Sequence, residues 1–270
     1  MKKIIFYPLL SLLFTFSSCS MFELDNAEAP AETLQGAVVD AATGDSIQTD
    51  QGSEGIRVRL TEANWNGNVT PNDFYCMPNG TFQNTKIFKR TFNIRVDGPF
   101  IPLVREDANG VPIADESKTM EISGVTKVKF EVQPFLKVEM VEKPMVSNGQ
   151  ITAKVRVTRG VSEADFQAKI EPMGNYNSAF LNMTDIQLFV SYSSTVGYRA
   201  RDDRWSSKIE YTGSAFNSLF GQVITIKSAG TIPSGRTIFV RAAARINYDT
   251  PKGSGTRRWN YSAPMEVMIP

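Results

Sequence analysis

Ile238-Phe239-Val240-Arg241-Ala242-Ala243-Ala244-Arg245-Ile246-Asn247 decides the fold class. Ile238, Val240, Ala242, Ala244 and Ile246 share one parity, and Phe239, Arg241, Ala243, Arg245 and Asn247 the other. A period of two belongs to a strand, because successive side chains leave opposite faces. One face here is apolar and the other carries the arginines, the pattern of an antiparallel sheet with one side in water. The same alternation recurs upstream. Ile56, Val58 and Leu60 alternate with Arg57, Arg59 and Thr61, and Val128, Phe130 and Val132 with Lys127, Lys129 and Glu131. Ile151, Ala153, Val155 and Val157 alternate with Thr152, Lys154, Arg156 and Thr158. Only Val161 to Ile170 reads as helix, for one or two turns. The chain is therefore expected to be all-β.

Turn chemistry agrees. Asn-Gly stands at residues 66–67, 79–80, 109–110 and 148–149, and this dipeptide suits the positive φ angles of type I′ hairpins. Asn79-Gly80, between Phe74–Met77 and Thr81-Phe82, predicts a hairpin, whereas Arg105 to Lys118 reads as an extended loop. Pro134 cannot donate to a ladder. It marks a boundary between a first β-sandwich over residues 33–133 and a second over 134–270, closely apposed for want of a long linker.

Composition narrows function mainly by exclusion. The 270 residues include 29 Lys+Arg, 28 Asp+Glu and no histidine. Near-neutral charge argues against nucleic acid as a partner. Without histidine there is no Ser-His-Asp or Cys-His catalysis and no His-ligated zinc. Nucleotide-loop, serine-elbow and C-x-x-C motifs are missing as well, so no cofactor and no metal is expected. Asp107-Ala108-Asn109-Gly110 holds too few ligands for a calcium loop and reads as a turn. Two carboxylates suffice for glycoside hydrolysis. The pairs Asp115-Glu116 and Asp202-Asp203 are sequence neighbours, however, and read as solvated loop charges. A glycoside hydrolase is kept as a minor alternative to a non-enzymatic protein.

Lys2 and Lys3 precede an apolar run, Ile4 to Phe16, that is too short to span a bilayer. Phe16-Ser17-Ser18-Cys19 resembles a bacterial lipobox, so residues 1–18 read as a signal peptide, with Cys19 as the lipidated residue and 19–32 as a tether. Cleavage there leaves 27 basic against 28 acidic residues. The acidic tract after Cys19 resembles the export signal of Bacteroides surface lipoproteins, which implies an outer-membrane anchor facing the cell exterior rather than the periplasm. With Cys19 lipidated, Cys76 has no disulfide partner and reads as a buried small apolar residue.

Gly36-Ala37-Val38-Val39-Asp40-Ala41-Ala42-Thr43-Gly44, then Ile47, then Gly55-Ile56-Arg57-Val58, resembles the opening of carboxypeptidase-regulatory-like, transthyretin-type sandwiches. Asn79-Gly80-Thr81-Phe82 resembles their later turn-plus-aromatic signature. Thr237 to Ile246, followed by Tyr261-Ser262-Ala263-Pro264 and Val267, is similar to the closing strands of Ig-like and fibronectin-III-like sandwiches. Together with the lipobox, these features resemble a two-domain Bacteroides surface-lipoprotein family built on a domain of unknown function. The resemblance implies a place beside SusC/SusD-like glycan-uptake systems. It implies no peptidase activity, since the regulatory-like sandwich carries no zinc site.

Trp65, in Glu62-Ala63-Asn64-Trp65-Asn66-Gly67, and Trp205, in Tyr198-Arg199-Ala200-Arg201-Asp202-Asp203-Arg204-Trp205, are the aromatic candidates for a ligand surface. The second segment is expected as a loop at one end of the second domain. There, Tyr198 and Trp205 would offer ring faces, and Arg201 and Arg204 fixed donors. The function expected is glycan binding or assistance to a SusC/SusD-like complex. The alternative is a purely structural module that braces that complex without touching sugar. Asp45-Ser46-Ile47 also fits a short O-glycosylation pattern.

Overall fold

The strand periodicity is realised as two stacked pairs of sheets. The structure, a computed structural model, describes residues 28–65 and 67–270; Cys19 and Asn66 lie outside the described residues. In the first half the chain forms β1 (Glu32–Asp40), β2 (Arg57–Glu62), β3 (Asn72–Tyr75), β4 (Thr81–Ile87) and β5 (Arg90–Asp97). β6 (Val104–Glu106), β7 (Pro112–Asp115), β8 (Lys118–Ile122) and β9 (Val125–Val132) follow. One sheet runs β4-β1-β9 and the other β3-β2-β5-β8. Leu34, Val38, Phe82 and Phe130 of the first meet Val58, Leu60, Ile94 and Val96 of the second in one core. Outside that core, Arg57 pairs with Asp97 at 2.5 Å and Arg59 with Asp73 at 2.6 Å, each directly across a strand pair.

The second half contributes β10 (Leu136–Met140), β11 (Met145–Ser147), β12 (Gln150–Arg159), β13 (Met183–Ser191) and β14 (Ser207–Glu210). β15 (Val223–Lys227), β16 (Arg236–Ile246), β17 (Asn260–Tyr261) and β18 (Met265–Ile269) complete it. β12 carries β10 and β11 on one edge and β15 on the other, while β14-β13-β16 carries β17 and β18. Ile151, Ala153, Val155 and Val157 face Ile186, Leu188, Ile238 and Val240 across the core. The expected helical turns are α1 (Glu163–Ile170), started by the Ser162 hydroxyl accepting from the Asp165 N–H and seated on the core by Phe166 and Ile170.

Three expectations are corrected. β1 and β9 pair in parallel, so the first sandwich is not purely antiparallel. Arg105 to Lys118 is not an extended loop: β6 and β7 form a hairpin closed by the Asp107 carboxylate, which accepts the Asn109 and Val111 N–H groups at 2.8 Å. Strands this short leave no visible alternation. Asn79-Gly80 does not join paired strands, since β3 and β4 belong to different sheets. Gly80 alone has positive φ there, and a Cβ on it would come within 2.2 Å of the Ile47 carbonyl oxygen. The turn carries the chain from one layer to the other. Asn148 and Gly149, by contrast, both have positive φ and close the tight β11–β12 hairpin.

Candidate functional site: the outer face of the β13–β16 sheet

β16 sends Ile238, Val240, Ala242 and Ala244 into the core, which leaves Arg241, Ala243 and Arg245 on its other face beside Asp185, Gln187 and Phe189 of β13. That face divides in two. Over one half lies the first sandwich, sealed by a small cluster of Phe189, Val196, Ala243, Trp259 and Tyr261. Arg241 is fully buried in this half and donates to the carbonyls of Thr49 at 2.7 Å, Pro78 at 3.0 Å and Ser262 at 2.7 Å. Arg258 donates in the same way to the carbonyls of Ser53 and Gly55. Asp50 of the first sandwich is buried too, and accepts from the Tyr261 hydroxyl at 3.0 Å and the Arg199 N–H at 3.1 Å. Burial pushes Arg241 down to about 10, so it stays charged at neutral pH, and pushes the Tyr261 phenol well above its usual range.

The other half is open. Two hollows of about 640 and 410 Å³ share Glu210 and Arg245 in their walls. The first extends to Tyr211, Asn247 and Arg257, and the second to Tyr198, Arg201 and Lys208. Asp185 is buried between them and organises the floor. It accepts from the Thr184 hydroxyl at 2.6 Å, the Gln187 amide at 3.1 Å and Arg245 Nε at 2.8 Å. Arg245 also lies 4.2 Å over the Trp259 ring, which fixes its plane. Arg257 donates to Asn247 Oδ1 at 2.9 Å. At the ends stand Tyr211, 43% exposed and edge-on to buried Phe216, and Tyr198, 37% exposed with Arg201 4.2 Å over its ring. The trough thus combines two aromatic rims with held guanidinium, carboxylate and amide groups. Such a surface can stack on one face of a flat polar ligand and bond its hydroxyl groups.

The sequence-predicted residues are only partly assembled here. Tyr198 and Arg201 line the open half. Trp205 does not: it is 4% exposed and part of the second core, with Tyr192 edge-on and Arg204 4.6 Å above its ring. The expectation of an exposed Trp205 platform is corrected, because Arg204 and Asp202 neutralise each other at 2.7 Å and let the indole turn inward. The segment is a loop as expected, but Arg199 ties it sideways to Glu54 of the first sandwich. Trp65 is 57% exposed, on the first sandwich, near Phe88 and Arg90. Every carboxylate of the two acidic pairs is held: Asp202 by Arg204, Asp203 by Arg201, Glu116 by Arg105 and Asp115 by the Ser117 N–H. Asp185, Glu210, Tyr211 and Arg245 were not singled out from the sequence. The usable signal was Arg245 on the polar parity of β16, together with Asp185 at the head of the largely apolar stretch 186–190.

The fold and this trough define a two-sandwich all-β protein with an aromatic-rimmed polar face. No protein-family model and no curated protein matches the chain. A solved DUF3823 family protein from Bacteroides uniformis is 68% identical, with 89% of this chain and 100% of that one aligned at a TM-score of 0.87. The chain belongs to the DUF3823 family. A putative carbohydrate binding protein from the same species, at 18% identity and TM-score 0.63, and a DUF3823 family protein from Parabacteroides merdae, at 14% and 0.59, share the fold. Each aligns over 89% of this chain and 100% of its own.

Proposed function

We propose that this protein is a non-enzymatic surface lipoprotein, anchored to the outer membrane through Cys19, that binds oligosaccharide in the open trough. The observation that carries the reading is the Asp185–Arg245 pair between two exposed tyrosines. A buried carboxylate fixes a guanidinium on a shallow face, where packing alone has no need of either charge. The carbohydrate-binding description of one structural neighbour supports the ligand class. Service to a SusC/SusD-like glycan-uptake complex is the biological setting suggested by the family resemblance of the sequence. Calorimetric titration against a polysaccharide panel tests the reading. Wild type should bind at least one polymer, and Tyr211→Ala should weaken binding about tenfold, equivalent to about 1.4 kcal/mol of lost ring contact. Absence of binding across the panel, with retention of a transporter pair on pull-down, would replace this reading with the bracing role.

A further inference from the structure

The two ends of the first sandwich differ in chemistry. β1 enters at Glu32, which pairs with Ile87, and Thr33 pairs with Val125. Its other end, Asp40, meets Lys137 of the second sandwich at 2.6 Å. The entry end carries three exposed apolar side chains: Trp65 after β2, Phe88 after β4 and Val125 at the start of β9. Arg90 sits between two of them, 6.0 Å from the Trp65 ring and 5.7 Å from the Phe88 ring, and pairs with Glu62 at 2.7 Å. The Glu32 carboxylate accepts the Gly124 N–H, and the Ala63 N–H donates to Thr91 O at 2.9 Å, which draws these segments to one end. None of the three apolar groups is needed by the core, which closes beneath them on Leu34, Ile87 and Phe92.

We infer that this end rests on the membrane, with Trp65 and Phe88 seated in the lipid headgroup layer. The inference rests on the Cys19 anchor proposed above and is independent of the sugar trough. Cys19 stands thirteen residues before Glu32, so even a fully extended tether reaches only about 45 Å from the entry end. Tryptophan suits that layer because its ring is amphipathic. Arg90 is paired with Glu62, whereas Lys86 and Lys89 beside Phe88 are exposed, so the rings seat with a cationic contribution that salt weakens only in part. β1 is nine residues long and holds the second sandwich about 30 Å further out. The open trough is thereby held clear of the lipid surface.

Trp205 and Trp259 are buried, so Trp65 is the indole that lipid can reach. The test uses the full acylated protein in phosphatidylcholine vesicles containing phosphatidylglycerol, with bromine on the upper acyl carbons of the lipid. Part of the tryptophan emission should be quenched and the remainder unchanged. Quenching should vanish in Trp65→Phe and persist in part at raised salt. If acyl labelling shows Cys19 modified while Trp65 stays unquenched and open to aqueous acrylamide, the anchor stands and the seating is overturned. If Cys19 carries no acyl chain, the anchor reading falls and this one with it. Protection of Trp65 by a soluble polysaccharide without vesicles would assign the patch to sugar and also overturn it.

Discussion

Arg241 and Arg245 stand four residues apart on one face of β16, and they meet opposite fates. Arg241 lies beneath the first sandwich, and four of its five acceptors are main-chain carbonyls. Arg245 lies at the edge of open solvent, paired with Asp185 and stacked on Trp259. The difference is one of acceptors. Carbonyls carry no charge of their own, so Arg241 serves as a multidentate donor that fixes how two bodies meet, and it leaves no site. A carboxylate partner leaves Arg245 with unused donors facing outward, and those are what a ligand can use.

The sharpest way to break the comparison is Arg241→Leu. It removes the donors of buried carbonyls and should cost about 3–5 kcal/mol, since each unsatisfied buried acceptor carries its own penalty. Thermal unfolding of the variant should fall well below wild type. A shift of a degree or two would mean that the covered half is not a clamp.

Trp205→Ala comes next, at about 3 kcal/mol, the low part of the range for such truncations, because Arg204 already covers one ring face at the surface. Calorimetry should show this loss in full. An unchanged melting temperature would return Trp205 to the ligand surface. Charged neighbours do not force Trp205 outward, because Arg204 and Asp202 satisfy one another locally and impose no exposure on the ring beside them. Parity was legible in the sequence and correctly sorted Ile238, Val240, Ala242 and Ala244 from Arg241 and Arg245. What covers the second set was not. A strand's periodicity distinguishes its two faces and carries no information on whether the polar one meets water or another domain. The parallel β1–β9 pair was hidden for the same reason, because neighbours in a sheet far apart in sequence leave no local trace.

Alkaline pH probes the covered half from the side of its acceptors. Cys76 is buried two residues before Pro78, whose carbonyl receives Arg241, and burial pushes its thiol up to about 12 against about 9 when free. Between those values the unfolded chain ionises and the folded chain does not. The folded state then holds more protons, so its stability is intact below pH 9 and is lost as pH rises, by about 1.4 kcal/mol per unit for this group. Denaturant titrations at several pH values should show that slope reduced in Cys76→Val. An equal slope in the variant would mean that the thiol is already open to solvent.

On the open half, Tyr198→Ala should cost only about 1 kcal/mol, the worth of an exposed ring's edge contact with Phe189 and its stack with Arg201. Its effect should appear in binding. Arg201 also donates to the Tyr198 carbonyl and to Asp203, so the backbone of the rim survives the substitution and only the ring face is lost. A variant that melts normally and binds normally would confine the site to the Tyr211 side of Arg245.

The smallest stability effect belongs to Trp65→Ala, and it completes the contrast with Trp205. Both residues follow polar stretches, yet among the described residues Trp65 has no core beneath its ring, which meets the Arg90 guanidinium. Arg90 keeps Glu62 and Phe88 when the indole is removed. Folding stability should therefore stay within about 0.5 kcal/mol, as for surface substitutions that break no cap, network or cavity. Sugar affinity should not change either, since Trp65 is on the other sandwich from the trough. A melting loss as large as that of Trp205→Ala would show that the entry end of the first sandwich is packed rather than free, and the rings there would no longer be available to lipid.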